Sequence, residues 1–396
     1  MSALRDAETR PLYLDAAATA PPRREVVEAM WPYLTSVFGN PASRHGVGER
    51  ARRALDAALE ELAALLGCRP SELIVTSGGT EADNLAIKGI ALAAPRKRRI
   101  VTTAIEHPAV LESARYLQRM HGFDLALLEV DEHALVDAER LREVATRGTT
   151  LVSVMLANNE VGTVQPLAEL AEITRRLGVP LHTDAVQAAG MLPLHMPELG
   201  VDALSIAGHK LGTPRGAGLL FVRRGIRLEP LMHGGGQQRD RRSGTEDVAA
   251  AVGLAMALRL ATAERVEHAE RLAGARDRFI RTVLDTVPGA RLTGHPSQRL
   301  PNNASFCFEG TAGEAVLLEL ERRAVICSSG SACAAGSTEP SSVLTAMGIP
   351  AEIAHTAVRF TFSAETTERE LDRAAALLHQ AVASVQEIGV HVARAQ

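Results

Sequence analysis

Of the 43 basic residues in the chain, three are lysines, Lys88, Lys97 and Lys210; all the others are arginine. The choice matters chemically. An arginine guanidinium keeps its proton, whereas a lysine amine can give its proton up and add to an aldehyde. Lys88 and Lys97 read as surface lysines. Lys210 stands in AGHKLGTPRGAG (207–218), after a strand-like run and beside His209, where a Gly/Pro-rich turn fixes it at a sheet edge. A second reactive candidate, Cys333, lies in SSGSACAAGS (328–337). Small residues give that loop little to pack with and keep it near water, so Cys333 is either turn filler or a nucleophile on a tether.

Other polar groups gather where apolar runs end. TSGGTEADN (76–84) follows one such run and opens a helix. Gly78 and Gly79 expose backbone N–H groups and Thr80 adds a hydroxyl, which suits a phosphate. The same residues also suit a capped helix start, with Thr80 and Asp83 satisfying loose N–H groups. EHP (106–108) places His107 at the same edge, and NNEVG (158–162) places Asn159 in a turn that can orient a ligand. HTDAVQ (182–187) brings Asp184 and Gln187; Asp184 can pair with a protonated ring nitrogen or cap the next helix. HGGGQQRDRRSGT (233–245) carries Thr245, a possible phosphate ligand, and AVRFTFS carries Arg359, whose fork matches one carboxylate.

Those groups need a scaffold that brings strand ends together. ELIVT (72–76), RIVTTA (99–104), DLALLEV (124–130), TLVSVML (150–156), VPLHTD (179–184), DALSIA (202–207) and GLLFV (218–222) are short apolar runs rich in β-branched residues. Most alternate with amphipathic stretches such as 49–67 and 167–178, which predicts an α/β domain with a mainly parallel seven-stranded sheet between helices. Ligands of such sheets bind at the carboxyl ends of the strands. Beyond about residue 260 the rhythm changes to a long charged helical stretch, a strand-like ASFCF (304–308) and further helices. The expectation is a large domain over 15–260 and a smaller α+β domain over 261–396, joined by residues 1–14.

The composition, 46% hydrophobic and 23% charged, is that of a soluble globular protein. The net charge of −4 gives no reason to expect nucleic acid as a partner. The first residues lack the apolar stretch of a signal peptide, and the apolar run 249–258 is too short to span a bilayer, so no membrane partner and a cytoplasmic location are expected. Cys68, Cys307, Cys327 and Cys333 form no C-x-x-C pair and do not cluster with histidine, which argues against a disulfide scaffold and a metal site. Cys68, Cys307 and Cys327 stand in apolar contexts and read as packing residues.

Taken together, the residues supply a phosphate cradle, an imine-forming lysine, a carboxylate for a pyridine nitrogen, a histidine to lie over a ring and an arginine for an α-carboxylate. A pyridoxal 5'-phosphate (PLP) enzyme acting on an amino acid requires that set. YLDAAATAPP, FGNPASRHG, TSGGTEADNLAIKG, EHPAV, NNEVGTVQP, HTDAVQ, GHKLGTPRGAG, MHGGG, RRSGTED and SSGSAC…EPSSVL occur in order between about residues 12 and 375. In this the chain resembles cysteine desulfurases of the NifS/IscS type, within the class V, fold-type I (aspartate aminotransferase-like) PLP enzymes.

The resemblance implies a role for each matching position. Lys210 would carry PLP, Asp184 would pair with its ring nitrogen, and His107 would stack on the ring and move protons. Asn159 and Gln187 would bond the ring substituents. Gly79, Thr80, His209 and, from the second subunit of a homodimer, Thr245 would hold the phosphate. Arg359 with Asn40 would grip the carboxylate of L-cysteine. Lys210 would take the Cα proton, and Cys333 would keep the sulfur as a persulfide while alanine leaves, for delivery to an acceptor protein in Fe–S cluster assembly or thiolation. Two departures stand out. The family's usual second serine before the lysine is Ala207, which removes one phosphate bond worth about 1 kcal/mol. The chain also ends without the longer tail that housekeeping members use to meet a scaffold, which leaves the acceptor open. The competing readings are a class V aminotransferase or β-lyase that does not use Cys333, and a non-enzymatic sulfur-relay or assembly protein.

Overall fold

A computed structural model describes residues 11–94, 97–330 and 339–395, with side chains to residue 387; Cys333 lies outside the described residues. From the N-terminus, strand β1 (Leu12–Tyr13) precedes helices α1 (Arg24–Thr35) and α2 (Gly46–Leu66). Then come β2 (Leu73–Thr76), α3 (Gly79–Leu92), β3 (Arg99–Thr103), α4 (Pro108–His121), β4 (Asp124–Leu128), β5 (Thr149–Ser153), α5 (Leu167–Leu177), β6 (Leu181–Asp184), β7 (Ala203–Ala207) and β8 (Gly218–Val222). The remainder holds α6 (Val248–Thr286), β9 (Ala290–Leu292), β10 (Asn303–Phe308), α7 (Gly313–Arg322), β11 (Val325–Ile326), β12 (Ala357–Thr361) and α8 (Glu368–Ala395).

The seven apolar runs form one sheet in the order β2-β8-β7-β6-β5-β3-β4, parallel except for β8, which runs antiparallel to both neighbours. Side chains alternate between its faces as strand geometry requires. Val75, Val101, Val152 and Phe221 enter the core under α2, α5 and the first half of α6. Their neighbours Ile74, Ile100, Leu151 and Leu220 enter a second core under α3 and α4. Both faces are therefore apolar, which is why these strands read as continuous hydrophobic runs. Close backbone approach at one edge needs a missing side chain. A Cβ on Gly218 would lie 2.5 Å from the carbonyl carbon of Gly78, so the absence of a side chain there lets β8 pass against the turn that opens α3.

A third core packs β12-β10-β9, an antiparallel sheet, against α6, α7 and α8. Phe279 lies at its centre, edge-on to Phe306, Phe360 and Phe362. The first described strand belongs here too: β1 pairs in parallel with β11, and Leu12 and Leu14 are buried in this core. Helix α6 runs unbroken for 39 residues, about 58 Å at 1.5 Å per residue. Val248 to Leu258 pack in the large core, and Leu272 to Val283 in the phenylalanine core. The shift in composition near residue 260 thus falls inside one helix, where the rod passes from one core to the other.

Candidate active site

Eight of the residues singled out by sequence line one cavity of about 220 Å³: Gly79, Thr80, His107, Asn159, Asp184, Gln187, His209 and Lys210. It lies at the carboxyl ends of β5, β6 and β7, under the N-terminus of α3. Each side chain is fixed by local structure. His107 is the N-cap of α4; its Nδ1 accepts the Ala109 N–H at 3.1 Å, which leaves the proton on Nε2. Asp184 ends β6, and its Oδ1 accepts the Val186 N–H at 2.8 Å, so it caps the following turn while also lining the cavity. Asn158 ties down the NNEVG turn, accepting the Glu160 and Val161 N–H groups and donating to Ile105 O, and so presents Asn159 to the cavity.

Lys210 follows β7, and its Nζ donates to the carbonyl oxygens of Ala17 and Ala18, the latter at 2.8 Å. Gln187 donates to Ala17 O at 3.1 Å and His209 contacts the Thr19 hydroxyl at 3.1 Å. The segment after β1 therefore braces three cavity residues at once. Burial, with the charges of Lys210 and Arg215, lowers His209 to about 4, so its imidazole is neutral. Burial raises the Asp184 carboxyl, while the Val186 N–H, His107 and Lys210 pull it back toward ionisation.

The turn before α3 is built as a cradle rather than as a side-chain cap. Gly78 occupies the N-cap position and makes no side-chain cap bond; Glu81 instead reaches back to the Ser77 N–H at 2.7 Å. A Cβ on Gly79 would fall 2.8 Å from Val186 Cγ2 and 3.3 Å from Ala207 Cβ, so the bare backbone forms that wall. Helix N-terminal amides, a threonine hydroxyl and a neutral histidine form a donor set that fits a phosphate. A buried carboxylate beside a lysine amine fits the ring of an aldehyde cofactor, so the residues present fit PLP. Ala207 is part of the wall and offers no hydroxyl. Ser205 does not substitute for it: the side chain is fully buried and bonded to His182 Nε2 at 3.0 Å.

Three other sequence candidates lie off this cavity wall. Arg359, 3% exposed on β12, donates to Asp15 Oδ1 at 2.6 Å and to Asn159 O at 2.9 Å. Asn40 is exposed and its Oδ1 accepts the Ala42 N–H, closing a turn. Thr245 is exposed in the loop before α6. The thiols of Cys68 and Cys307 are pushed up by burial to about 12 and about 11, and burial raises Cys327 as well, so none of these three is a thiolate.

Sequence reading missed the carbonyls of Ala17 and Ala18, the Asp15 partner of Arg359, and Asp83. TEADN suggests that Asp83 caps the helix. It is instead buried inside α3 and lines the cavity. The available signal was its position, since a carboxylate in the second turn of a helix lies past the reach of a cap.

The family described as Aminotransferase class-V matches residues 12–374. The chain belongs to this family. A relative within its reach, "Cysteine desulfurase IscS" of Dictyoglomus turgidum, is 44% identical over 380 residues, 96% of each chain. Among solved structures, a "NIFS-LIKE PROTEIN" superposes with a TM-score of 0.88 at 34% identity, covering 94% of this chain and 99% of that one. "SspA in complex with cysteine" gives 0.79 at 32% identity, covering 90% and 100%. The fold shared with these structures is the α/β architecture expected from the strand rhythm, of the fold-type I kind that the resemblance implies.

Proposed function

We infer that this class-V chain is a cysteine desulfurase: it removes sulfur from L-cysteine, releases L-alanine and passes the sulfur to an acceptor. The observation that carries the reading is the meeting of Lys210, Asp184 and His107 with the α3 cradle in one cavity. Its relatives' names agree with it.

Lys210 Nζ would hold PLP covalently, with Gly79, Thr80 and His209 on its phosphate, and Asn159 and Gln187 on its ring substituents. Asp184 would keep the ring nitrogen protonated, and His107 would cover the ring. When bound, the cofactor supplies a sink for the electron pair left at the substrate's Cα. Lys210 then takes the Cα proton at Nζ, close to the Ala17 and Ala18 carbonyls that hold the amine as an ammonium. The Cys333 thiolate attacks the substrate sulfur, forming an S–S bond as the C–S bond breaks with its electron pair left on the carbon fragment, which is protonated to alanine, and the protein keeps a persulfide. Arg359 would anchor the substrate carboxylate with Asn40; supporting this, its Nη1 already holds the backbone of cavity residue Asn159, and its Nε has no hydrogen-bond partner among the described residues.

The reading extends to assembly. A homodimer with Thr245 serving the second subunit's phosphate is supported by the exposure of Thr245, and by the apolar Val27, Trp31 and Leu34 exposed along α1 with Phe38 just beyond it. The cofactor-binding unit is taken as 15–260 and the smaller one as 261–396 with the N-terminal segment, supported by their separate cores. Among the described residues no helix is long and apolar enough to cross a membrane. The described cysteines are free thiols, which supports a cytoplasmic location.

The deciding experiment incubates the protein with L-cysteine and a reductant and measures alanine and sulfide beside Cys333→Ser. Equal amounts of both, lost in the variant, support the desulfurase. Undiminished alanine in the variant, or pyruvate or an amino-transfer product instead, assigns another PLP reaction. A purified protein with no visible PLP absorption band revives a non-enzymatic role.

A further inference from the structure

Asp83 is 1% exposed, lines the same cavity as Asp184, and its Oδ1 has no hydrogen-bond partner among the described residues. Its nearest basic group is His182, whose Nε2 lies 3.7 Å from that oxygen, past hydrogen-bonding range. Both ring nitrogens of His182 are already engaged: Nδ1 with Ser153 Oγ at 2.9 Å and Nε2 with Ser205 Oγ at 3.0 Å. All three residues are fully buried. Strand parity explains the grouping. Ser153, His182, Asp184 and Ser205 all project from the sheet face that α3 covers, since Ser153 pairs with His182 and Asp184 with Ser205.

The surroundings supply no cation for Asp83. Burial lowers His182 to about 3, so its ring is neutral. Strands β2, β5, β7 and β8, packed near α3, carry no titratable side chain; α4 offers Glu112, Arg115 and Arg119 at its exposed face and Tyr116 and His121 half-buried, and Lys88 of α3 is engaged with Asn84 Oδ1 and the Tyr116 ring. The remaining neighbours are Glu106, another buried carboxyl, and Asp184, which alone receives the favourable charges of His107 and Lys210. Two carboxylates in one dry site do not both ionise, and the charge settles where the cations are.

We propose that Asp83 is a positioning residue: an uncharged carboxylic acid that closes a hydrogen-bonded chain through Ser205 and His182 to Ser153 and keeps Asp184 the single anion beneath the cofactor ring. As an acid, Asp83 donates to Ser205, Ser205 donates to His182 Nε2, and His182 Nδ1–H donates to Ser153. The Ser205 hydroxyl and both ring nitrogens of His182 are then satisfied. Burial and the Asp184 charge both favour the protonated form, with the Ser205 contact working the other way. The role assigned toward the cofactor rests on reading the cavity as the PLP site.

Infrared difference spectra of wild type against Asp83→Asn test the charge state directly. A protonated-carboxyl C=O band present in wild type and lost in the variant is expected, with Glu106 common to both and cancelling. A difference containing carboxylate bands only would overturn the proposal. In the PLP-loaded protein, the visible absorption of the cofactor should titrate within about 0.3 pH unit of wild type in Asp83→Asn, because no charge is removed, whereas a shift of about one unit or more would mean that Asp83 was ionised. Asp83→Leu is also neutral but cannot hydrogen-bond. Its PLP dissociation constant should rise about tenfold, as for one lost buried hydrogen bond, and Asn in its place should restore most of that. Equal affinity in Asp83→Leu and wild type would remove the positioning role. Should the Leu variant fail to fold, the infrared band and the Asn titration decide alone. A wild type that takes up no PLP defeats the reading of the cavity, while the infrared band still reports on Asp83.

Discussion

Replacing Glu106 with Gln should change how stability depends on pH more than it changes stability at any one pH. Glu106 is 3% exposed; its Oε1 accepts the Met155 N–H at 2.8 Å and the Thr103 hydroxyl at 2.9 Å, and its Oε2 is buried without a partner among the described residues. Burial pushes the carboxyl from 4.5 up to about 8 against those two hydrogen bonds, and the Asp184 charge adds to the rise. Below pH 4.5 folded and unfolded chains both hold the proton, so Glu106 adds no pH dependence. Between 4.5 and about 8 the fold keeps a proton that the unfolded chain has lost, so stability falls as pH rises. Above about 8 both states are ionised and the loss is complete. At 1.36 kcal/mol per unit the whole window corresponds to about 5 kcal/mol, most of it between pH 5 and 8. Glutamine keeps the Oε1 acceptor and puts an unpartnered amide where Oε2 sits, so the constant cost of that atom cancels in the comparison. Urea unfolding of the apo protein at a ladder of pH values, wild type against Glu106→Gln, should show wild type losing ground by about 4 kcal/mol from about pH 5 to 8. Parallel curves would refute the reasoning, since they require a carboxylate ionised in the fold throughout.

Ala207→Ser places a hydroxyl on the cavity wall and should lower the PLP dissociation constant about fivefold, for about 1 kcal/mol gained, in a titration of apo protein followed by absorbance; an unchanged constant means the hydroxyl does not meet the phosphate. Asp15→Asn leaves Arg359 buried without its ion-pair partner and should cost about 3 kcal/mol in urea unfolding; a loss below about 1 kcal/mol would show the pair to be dispensable. Phe279→Ala empties the centre of the phenylalanine core and should cost about 3–5 kcal/mol. Because α6 belongs to both large cores, far-UV and near-UV signals should shift together in that variant; separate transitions would show the cores to be uncoupled.

The sheet was legible because all its strands but the edge strand β4 are buried on both faces, and a doubly buried strand is a short apolar run with no alternation to confuse it. The meeting of His107, Asp184 and Lys210 in one cavity was legible for a related reason: each lies at the end of such a run or within three residues of it, where the sheet edge must lie. Asp83 was not, because its environment depends on which sheet face α3 covers and on the parity of β5, β6 and β7, none of which is local in sequence. The same holds for Arg359, whose partner Asp15 is 344 residues away. Near residue 260 the change from alanine-rich to charged sequence falls where one continuous helix passes from the large core to the phenylalanine core.

The pairing of β1 with β11 bears on when the active site comes into being during synthesis. A ribosome delivers residues 12–13 first and residues 325–326 near the end, and only then can the first strand dock. The seven-stranded sheet needs nothing beyond residue 222 for its strands and can close early. Lys210, however, is clamped by the carbonyls of Ala17 and Ala18, which hang from β1, and Asp15 waits for Arg359. The nascent chain thus lacks the β1–β11 pair and the Asp15–Arg359 pair until most of its length has been made. The anchoring at β11 and β12 of the segment that braces Lys210 is among the last parts of the fold to be completed.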